Sequence, residues 1–464
     1  MSFAHTMEAI HKRLSLLRDS ERARSALRNS LYGAAEYVAM PLTLLLATPF
    51  LLHRLGPPRY GLWMLATAAI TSSTFISAGF GDAALKYAAT YRGKNDRAAL
   101  EDTLRVNLTI NLILGTLLAA SIWFSSPLVV HLFKIDPALE GDGLAVFRLG
   151  SVILLVRSVE SVFIGALRAC ERYGPPVQIN VSARIATILS ACILVAKGYS
   201  IVAIMLATLV ISGMAVVVQV VATRLVTGPI RVYPTITRAA FSEVFAFGFF
   251  SWLQALAGCI FSYADRLIIG FTLGASSVAY YSICVQAAQP IHGFIAAGLH
   301  FLFPHLTARL SGAPPGEIRT IVLSILSVNV VLAIVLCAPL AIFSKLILRV
   351  WMGPAFAQQA SVVLSIVAVG FGLLALNITG HYALLALGQV RLVAMLNLVG
   401  GLAMLAVVTA LTPRVGFLGA AVGRLLYGPI TLMMYFRLRS MLSPRSIDNA
   451  FLVSTATVVE TGSR

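Results

Sequence analysis

Residues 54–63 read RLGPPRYGLW, a short polar turn that separates two long apolar runs. A similar stretch, TLGASSVAYY, occupies residues 272–281, so that Gly274 lies 218 residues after Gly56. The same offset relates further pairs, namely Asn111 and Asn329, Gly198 and Gly416, and Tyr199 and Phe417. A register that is shared over so much of the chain indicates a duplicated unit. Two unrelated glycine turns are the alternative interpretation.

The composition is typical of a membrane protein. Hydrophobic residues make up 58% of the 464 residues and charged residues only 11%, against about 25% charged residues in a soluble domain. So few charged side chains cannot cover a water-exposed surface, and the bilayer is the expected solvent. The net charge of +17 fits anionic membrane lipids as partners, and the long apolar runs argue against nucleic acid.

Apolar segments of about 20 residues, long enough to cross a bilayer, recur along the whole chain. One set falls near 30–53, 61–82, 106–130, 143–167, 175–196 and 199–223, and a second near 241–271, 277–306, 319–343, 360–386, 391–412 and 416–436. The predicted fold is all-α, a polytopic membrane protein of about twelve transmembrane helices in two six-helix lobes. The lobes cover 30–226 and 240–440, and a polar linker at 227–239 joins them.

Lysine and arginine are distributed unevenly between the predicted loops. If the N-terminus is cytoplasmic, the inner loops and tails hold 23 of the 35 basic residues and the outer loops hold seven. Cytoplasmic loops are enriched in basic residues, so we expect both termini, including the tail at 441–464, to be cytoplasmic and the two glycine turns to face outward. The basic segment 1–29 fits either an amphipathic helix on an anionic leaflet or a disordered tail.

Five arginines fall within predicted spans: Arg148, Arg157, Arg184, Arg266 and Arg424. Placing an arginine at the centre of a membrane helix costs about 2.5–3.5 kcal/mol, so these residues predict a hydrated internal cavity. Phosphate is a frequent partner of guanidinium groups, and we predict Arg157, Arg184, Arg424 and Arg266 as the residues that bind an anionic substrate. Arg148 and Arg266 lie near outer helix ends, where they face either the cavity or the lipid headgroups.

Four acids accompany these arginines and are predicted to serve coupling or pairing: Glu36, Asp82, Glu160 and Asp265. Glu160 follows Arg157 by three residues on one helix, a spacing that allows an ion pair. Glu36, about two turns into the first span, is the best candidate for a protonatable coupling group. Asp82 lies at an inner helix end, where a solvated role is expected.

No cofactor or metal is predicted from the sequence. The histidines within spans (His292, His300 and His381) lack metal-binding spacing and are expected to be core residues. The five cysteines are scattered through apolar runs without a CxxC pair. A nucleotide-binding loop of the GxxxxGK[ST] type is also missing, so a gradient of H⁺, Na⁺ or cargo is expected to give transport its direction.

Several motifs resemble one known family. The residues LG at 55–56 with YGLW at 60–63, and DRLIIGFTLG at 265–274 with VAYY at 278–281, are similar to polysaccharide-export flippases of the Wzx type. LLALG at 384–388, Asn397 and VGFLGAA at 415–421 extend the resemblance over roughly residues 30–440. These flippases belong to the multidrug/oligosaccharidyl-lipid/polysaccharide (MOP) flippase superfamily.

The resemblance implies two six-helix lobes, a central cationic cavity and alternating access. It also implies a lipid-linked oligosaccharide cargo, carried on undecaprenyl diphosphate from the inner to the outer leaflet of the bacterial inner membrane. Such transport serves the synthesis of O-antigen, as part of lipopolysaccharide, or of another surface polysaccharide. A polysaccharide polymerase and chain-length machinery are the protein partners that this implies.

Two other function classes are weighed against a flippase. A drug or cation antiporter of the MATE type has the same two-lobe frame, but cationic drugs favour acidic cavities, and basic residues here match or outnumber acids within the spans. A membrane glycosyltransferase or polymerase usually needs a large outer loop or a clustered acid pair, and the sequence shows neither. The preferred prediction is therefore a flippase, and an enzyme is not expected.

Overall fold

The computed structural model consists of helices joined by short connections, and the residues that it describes contain no strand. It describes residues 43–71, 87–88, 90–91, 94, 96–170, 172, 174–228, 233–235, 237, 241, 245, 258, 262–299, 302, 306 and 315–442. Helices are the expected solution for so apolar a chain, because a bilayer offers no water to satisfy backbone amides and carbonyls.

The helices of the N-terminal half are α1 (43–71, which includes Gly56), α2 (Arg97–Leu132), α3 (Glu140–Ala169), α4 (Gly174–Ala196) and α5 (Ile201–Thr227). The C-terminal half contains α6 (262–273), α7 (Ala275–Leu299), α8 (Pro315–Ile342), α9 (Ser344–Met352), α10 (Pro354–Ala386), α11 (Val390–Val415), α12 (Phe417–Leu432) and α13 (Met434–Met441).

Eight helical segments in the described part of the chain are long and apolar enough to cross a membrane. They cover 97–132, 137–169, 174–196, 201–227, 317–342, 354–386, 390–415 and 417–441, and each contains or closely matches one predicted span. The predicted all-α polytopic membrane fold is confirmed. The four other predicted spans, near 30–53, 61–82, 241–271 and 277–306, lie partly outside the described residues.

Some predictions concern positions outside the described residues altogether. These are the basic segment 1–29, Glu36, Asp82 and His300, together with the tail from 443 onward. The linker at 227–239 is described only in part.

The 218-residue offset recurs in the conformation of the backbone. Gly56 and Gly274 both have a positive φ, of 75° and 83°, and Gly198 and Gly416 have values of 80° and 70°. Residues with a Cβ rarely adopt this conformation. The same local turn therefore occurs at both members of each pair, which supports the predicted duplication.

In the described part of the chain, the apolar core contains one large cluster, a smaller one at the end of the C-terminal half, and two minor ones that include residues of α2. The large cluster joins the two halves and includes Leu62 of α1, Ile204 of α5 and Tyr281 of α7. The smaller one, named the second cluster below, includes Leu384 at the end of α10 and Leu438 of α13. The two halves thus share a core where α1 meets α7.

Helix α9, which carries the basic residues Lys345 and Arg349, lies between two predicted spans, where no helix was predicted from the sequence. The buried residues Ser344, Leu348 and Met352 recur every four residues, which is the spacing of one helix face, and the two basic side chains are exposed. Trp351 Nε1 donates to the Leu45 carbonyl oxygen at 3.2 Å and so connects α9 to α1. A helix of nine residues is too short to span the bilayer, so a search for long apolar runs passes over it.

Candidate functional site

Three charged side chains lie close enough in the N-terminal half to influence one another electrostatically: Arg157 and Glu160 on α3 and Arg184 on α4. Glu160 is buried, with 8% of its surface exposed, and it attracts both arginines electrostatically. The two arginines repel each other. This group, the Arg157 cluster, contributes two positive charges and one negative charge, so it favours the approach of an anion.

Arg157 lies deep in the protein and still has water-accessible surface. Protein atoms surround its guanidinium group closely enough to remove most of its solvation, yet the side chain as a whole is only partly buried. Arg184 is also partly exposed, so neither arginine of the cluster is fully enclosed by protein.

The position of Arg157 depends on close packing between α2 and α3. A Cβ atom at Gly115 would lie 2.9 Å from the Cβ of Ser158, the neighbour of Arg157, so glycine allows the two helices to approach. Ser161 Oγ donates to Asn111 Oδ1 at 3.4 Å, and Asn111 Nδ2 donates to Asn107 Oδ1 at 2.8 Å. The first of these contacts joins α3 to α2 one turn after Arg157, and the second holds Asn111 in place within α2.

A second charged group lies in the C-terminal half, around Asp265 of α6. Arg424 Nη1 of α12 donates to Asp265 Oδ2 at 2.5 Å, and Tyr281 Oη of α7 donates to the same oxygen at 2.6 Å. The Arg266 amide donates to Asp265 Oδ1 at 2.8 Å. Asp265 is fully buried and Arg424 is 5% exposed. The carboxylate is thus neutralised by an arginine and hydrogen-bonded at both oxygens.

The Arg424 guanidinium also lies over the Phe371 ring of α10, 4.7 Å from its centroid. A cation over an aromatic face is stabilised by about 2 kcal/mol when both are removed from water. Four helices, α6, α7, α10 and α12, therefore supply one side chain each to this group, the Asp265 cluster. His292 lies near Arg424 and His381.

The structure places the two remaining span arginines against aromatic rings. The Arg148 guanidinium lies 5.3 Å from the centroid of Trp123, and that of Arg266 lies 5.5 Å from the centroid of Tyr263. The Nε atom of each arginine is buried and has no hydrogen-bond partner in the described part of the chain. The predicted site residues are thus divided between the Arg157 cluster, the Asp265 cluster and these two aromatic contacts.

The two halves close on each other at the end of the molecule that carries Gly56 and Gly274, named the glycine-turn face. A Cβ atom at Gly61 of α1 would lie 1.7 Å from the carbonyl oxygen of Ala275 in α7. A Cβ at Gly270 of α6 would lie 2.4 Å from a methyl carbon of Leu65. Side-chain atoms never approach so closely, so glycine at both positions allows the halves to meet there.

Buried hydrogen bonds reinforce this closure. Thr48 Oγ1 and Tyr60 Oη of α1 donate to Gln286 Oε1 of α7 at 3.2 Å and 3.4 Å, and all three side chains are buried. Lys134 Nζ donates to the Thr272 carbonyl oxygen at 3.1 Å. No cargo can pass between α1 and α7 at this face while these contacts hold.

Two parts of this arrangement could not be predicted from the sequence. Asp265 and Arg424 were each singled out, but nothing in the sequence joined two residues that lie 159 positions apart; their opposite charges within spans were the only available signal. The contact of Thr48 and Tyr60 with Gln286 was also missed, because single neutral polar residues in apolar runs are common.

Comparison with known proteins identifies the family. The model of the family described as "Polysaccharide biosynthesis protein" matches residues 51–361, more than half of the chain. A Shigella flexneri protein described as "Putative O-antigen transporter" is 24% identical over 409 residues, which cover 86% of this chain and 94% of that protein.

Two solved structures share the fold. The inward-facing conformation of a MATE family multidrug resistance transporter of the MOP superfamily matches with a TM-score of 0.74 and 14% identity, over 90% of this chain and 99% of that one. The lipid II flippase MurJ in an inward closed conformation matches with a TM-score of 0.72 and 14% identity, over 92% of each chain. The resemblance to Wzx-type flippases drawn from the sequence is confirmed, and this multi-pass membrane chain belongs to the polysaccharide biosynthesis protein family.

Proposed function

We propose that this protein moves undecaprenyl-diphosphate-linked oligosaccharide from the inner to the outer leaflet of the bacterial inner membrane by alternating access. The family match, with its description as a polysaccharide biosynthesis protein, and the O-antigen transporter relative support the class of cargo. The lipid tail of such a cargo remains in the bilayer, and only its diphosphate and sugars require a hydrated path.

The Arg157 cluster is the observation that carries this proposal. Arg157 and Arg184 lie on adjacent helices, are both attracted electrostatically by Glu160, and are only partly buried. Two guanidinium groups that repel each other are stabilised when an anion with several oxygens comes between them. A diphosphate meets this requirement better than a monophosphate, because it offers oxygens to both arginines.

The contacts between the halves support an inward-facing state. The glycine-turn face is closed by the packing of Gly61 on Ala275 and of Gly270 on Leu65. The distribution of basic residues predicts that this face is outward and that both termini are cytoplasmic. The two structural neighbours are described as inward-facing and inward closed. Cargo would therefore enter from the inner leaflet and leave once the contacts at the glycine-turn face separate.

A proton or sodium gradient is proposed to give this cycle its direction, with Glu36 as the coupling group. Anionic membrane lipids are proposed to bind the basic inner loops, and a polysaccharide polymerase with its chain-length machinery to receive the cargo at the outer leaflet.

A flipping assay in proteoliposomes tests the cargo site. Full-length protein is reconstituted with a lipid-diphosphate oligosaccharide, with and without a proton or sodium gradient. The double variant R157A/R184A should slow flipping about 10- to 100-fold, the effect of losing charge-assisted hydrogen bonds. The affinity of the double variant for the lipid diphosphate should also no longer exceed its affinity for the matching lipid monophosphate.

Arg148→Ala provides the matched control, because Arg148 lies on the same helix and its guanidinium contacts Trp123 instead of the cluster. This variant should flip cargo at the wild-type rate. A folded R157A/R184A protein that also flips at the wild-type rate would remove the Arg157 cluster from the proposal. Transport of cationic drugs, with no movement of lipid-linked sugar, would replace the proposed function with the antiporter alternative.

A further inference from the structure

Tyr435 of α13 places its hydroxyl group within the backbone hydrogen-bond ladder of α10. The Gly380 amide donates to Tyr435 Oη at 3.1 Å, and Tyr435 Oη donates to the Leu376 carbonyl oxygen at 2.6 Å. In a regular α-helix the amide of residue 380 bonds directly to the carbonyl of residue 376. The hydroxyl therefore contacts both groups of this backbone bond, and a side chain that inserts between them is a known cause of helix bending.

A second side chain, that of Asn329 on α8, contacts the same turn of α10. Asn329 Nδ2 of α8 donates to the Ala375 carbonyl oxygen at 3.0 Å and to Thr379 Oγ1 at 2.9 Å. Asn329 is fully buried. The turn at 375–380 is thus held by side chains from α8 and α13 as well as by its own backbone bonds.

Gly380 is the residue that lets Tyr435 come this close. A Cβ atom there would lie 2.9 Å from Met434 Sδ and 3.0 Å from Tyr435 Cζ. Both distances are tighter than ordinary side-chain contacts, so alanine would push the Tyr435 ring away from the backbone of α10. The bridge therefore depends on a glycine at 380 as well as on the hydroxyl.

The hydrophobic core changes at the same level of the molecule. On α10, Phe371 and Ile378 belong to the large cluster, whereas Ala383 and Leu384 belong to the second cluster. Gly380 lies between these two sets. The end of α10 therefore packs mainly in the second cluster, and the partly buried Ile325 and Tyr382 contact both clusters.

The last membrane segment is interrupted next to this point. Helix α12 ends at Leu432 and α13 begins at Met434. Tyr427 of α12 packs in the large cluster and Leu438 of α13 in the second. Two neighbouring segments, α10 and α12–α13, thus pass from one cluster to the other where Tyr435 contacts Gly380.

We propose that Gly380, Leu376 and Tyr435 form a hinge, the Gly380 joint, about which the second cluster moves as a unit against the rest of the C-terminal half. In the bent state the Tyr435 hydroxyl bridges the Gly380 amide and the Leu376 carbonyl. In the straight state those two groups bond each other directly and the hydroxyl is released. Backbone groups stay hydrogen-bonded in both states, so the bend carries no unsatisfied polar group into the bilayer.

Hydrogen–deuterium exchange of full-length protein in lipid nanodiscs tests the joint without any cargo, so its outcome is independent of the proposed function. The variant Tyr435→Phe keeps the ring and removes the bridge. The Gly380 amide should then bond Leu376 directly, and exchange in the peptide covering 376–386 should slow about tenfold, the effect of one strengthened hydrogen bond.

The control is Tyr427→Phe, since the Tyr427 hydroxyl donates to a side chain, Asn397 Oδ1, at 3.2 Å. Exchange in α10 should not change in this variant. Gly380→Ala removes the bridge by displacing the Tyr435 ring, so it should slow exchange in the same peptide. If Tyr435→Phe does not fold, the exchange rate of Gly380→Ala tests the joint in its place. Exchange that is unchanged or faster in the folded bridge variant, or slowed equally by Tyr427→Phe, would overturn the joint.

Discussion

Arg157 and Arg424 are both arginines within membrane-spanning helices, but their surroundings differ. Arg424 is 5% exposed, paired with Asp265 and stacked on Phe371. Arg157 is partly exposed and lies in a group whose shared acid, Glu160, serves two arginines. One arginine is neutralised within the fold, and the other belongs to a group that still attracts anions.

The difference separates a structural ion pair from a binding group. A buried ion pair contributes little net stability, but removing one partner is costly because the other charge stays in the apolar interior. An accessible cationic group behaves differently, because water or a ligand can solvate whatever charge is left. The two clusters should therefore respond in opposite ways to the loss of their acid.

Neutralising Asp265 should produce the largest loss of stability. The variant Asp265→Asn leaves the Arg424 guanidinium buried without a counter-charge, and we expect the free energy of unfolding in detergent to fall by about 3–5 kcal/mol. The double variant Asp265→Leu/Arg424→Leu should recover most of that loss, because a matched apolar pair leaves no buried charge. An Asp265→Asn protein as stable as the wild type would show that water solvates Arg424. Arg424 and Arg157 would then not differ in the way described above.

Replacing Arg424 with lysine should have an intermediate effect. Lysine keeps a positive charge beside the Asp265 carboxylate but cannot lie flat over the Phe371 ring as a guanidinium does. We expect unfolding to become easier by about 1–2 kcal/mol. Chemical denaturation of both proteins measures this difference, and Arg391→Lys, made at an exposed arginine, provides the scale for an ordinary arginine-to-lysine change. A loss as large as that of Asp265→Asn would mean that the pair itself cannot form with lysine.

The sequence was sufficient to predict most of the fold. Long apolar runs located the spans, because only a helix satisfies its backbone within a bilayer. The 218-residue offset located the paired turns at Gly56 and Gly274, whose positive φ values require glycine. Short amphipathic α9 was missed because nine residues do not form a span.

The sequence was less informative about the site. Burial within a span singled out both Arg157 and Arg424, and it made the same prediction for each, because position along a helix does not reveal what a side chain faces. The proximity of Glu160 to Arg157 follows from helix spacing. The pairing of Arg424 with Asp265 depends on the packing of α6 against α12, which only the folded structure supplies.

The smallest effect, and the one that sharpens the comparison most, is expected from Glu160→Gln. Because Glu160 attracts both Arg157 and Arg184, it competes with an anionic cargo for them. Its neutralisation should leave the free energy of unfolding nearly unchanged and should tighten binding of a lipid diphosphate by about fivefold, the effect of about 1 kcal/mol. Equilibrium binding of the lipid diphosphate to purified protein measures the change.

Tighter binding in turn slows release of the cargo at the outer leaflet, so the flipping rate of Glu160→Gln should fall although its affinity for the cargo rises. Weaker binding in Glu160→Gln would show that the acid orients the arginines for the cargo instead of competing with it, and a large loss of stability would show that the Arg157 cluster is a structural pair like the one at Asp265.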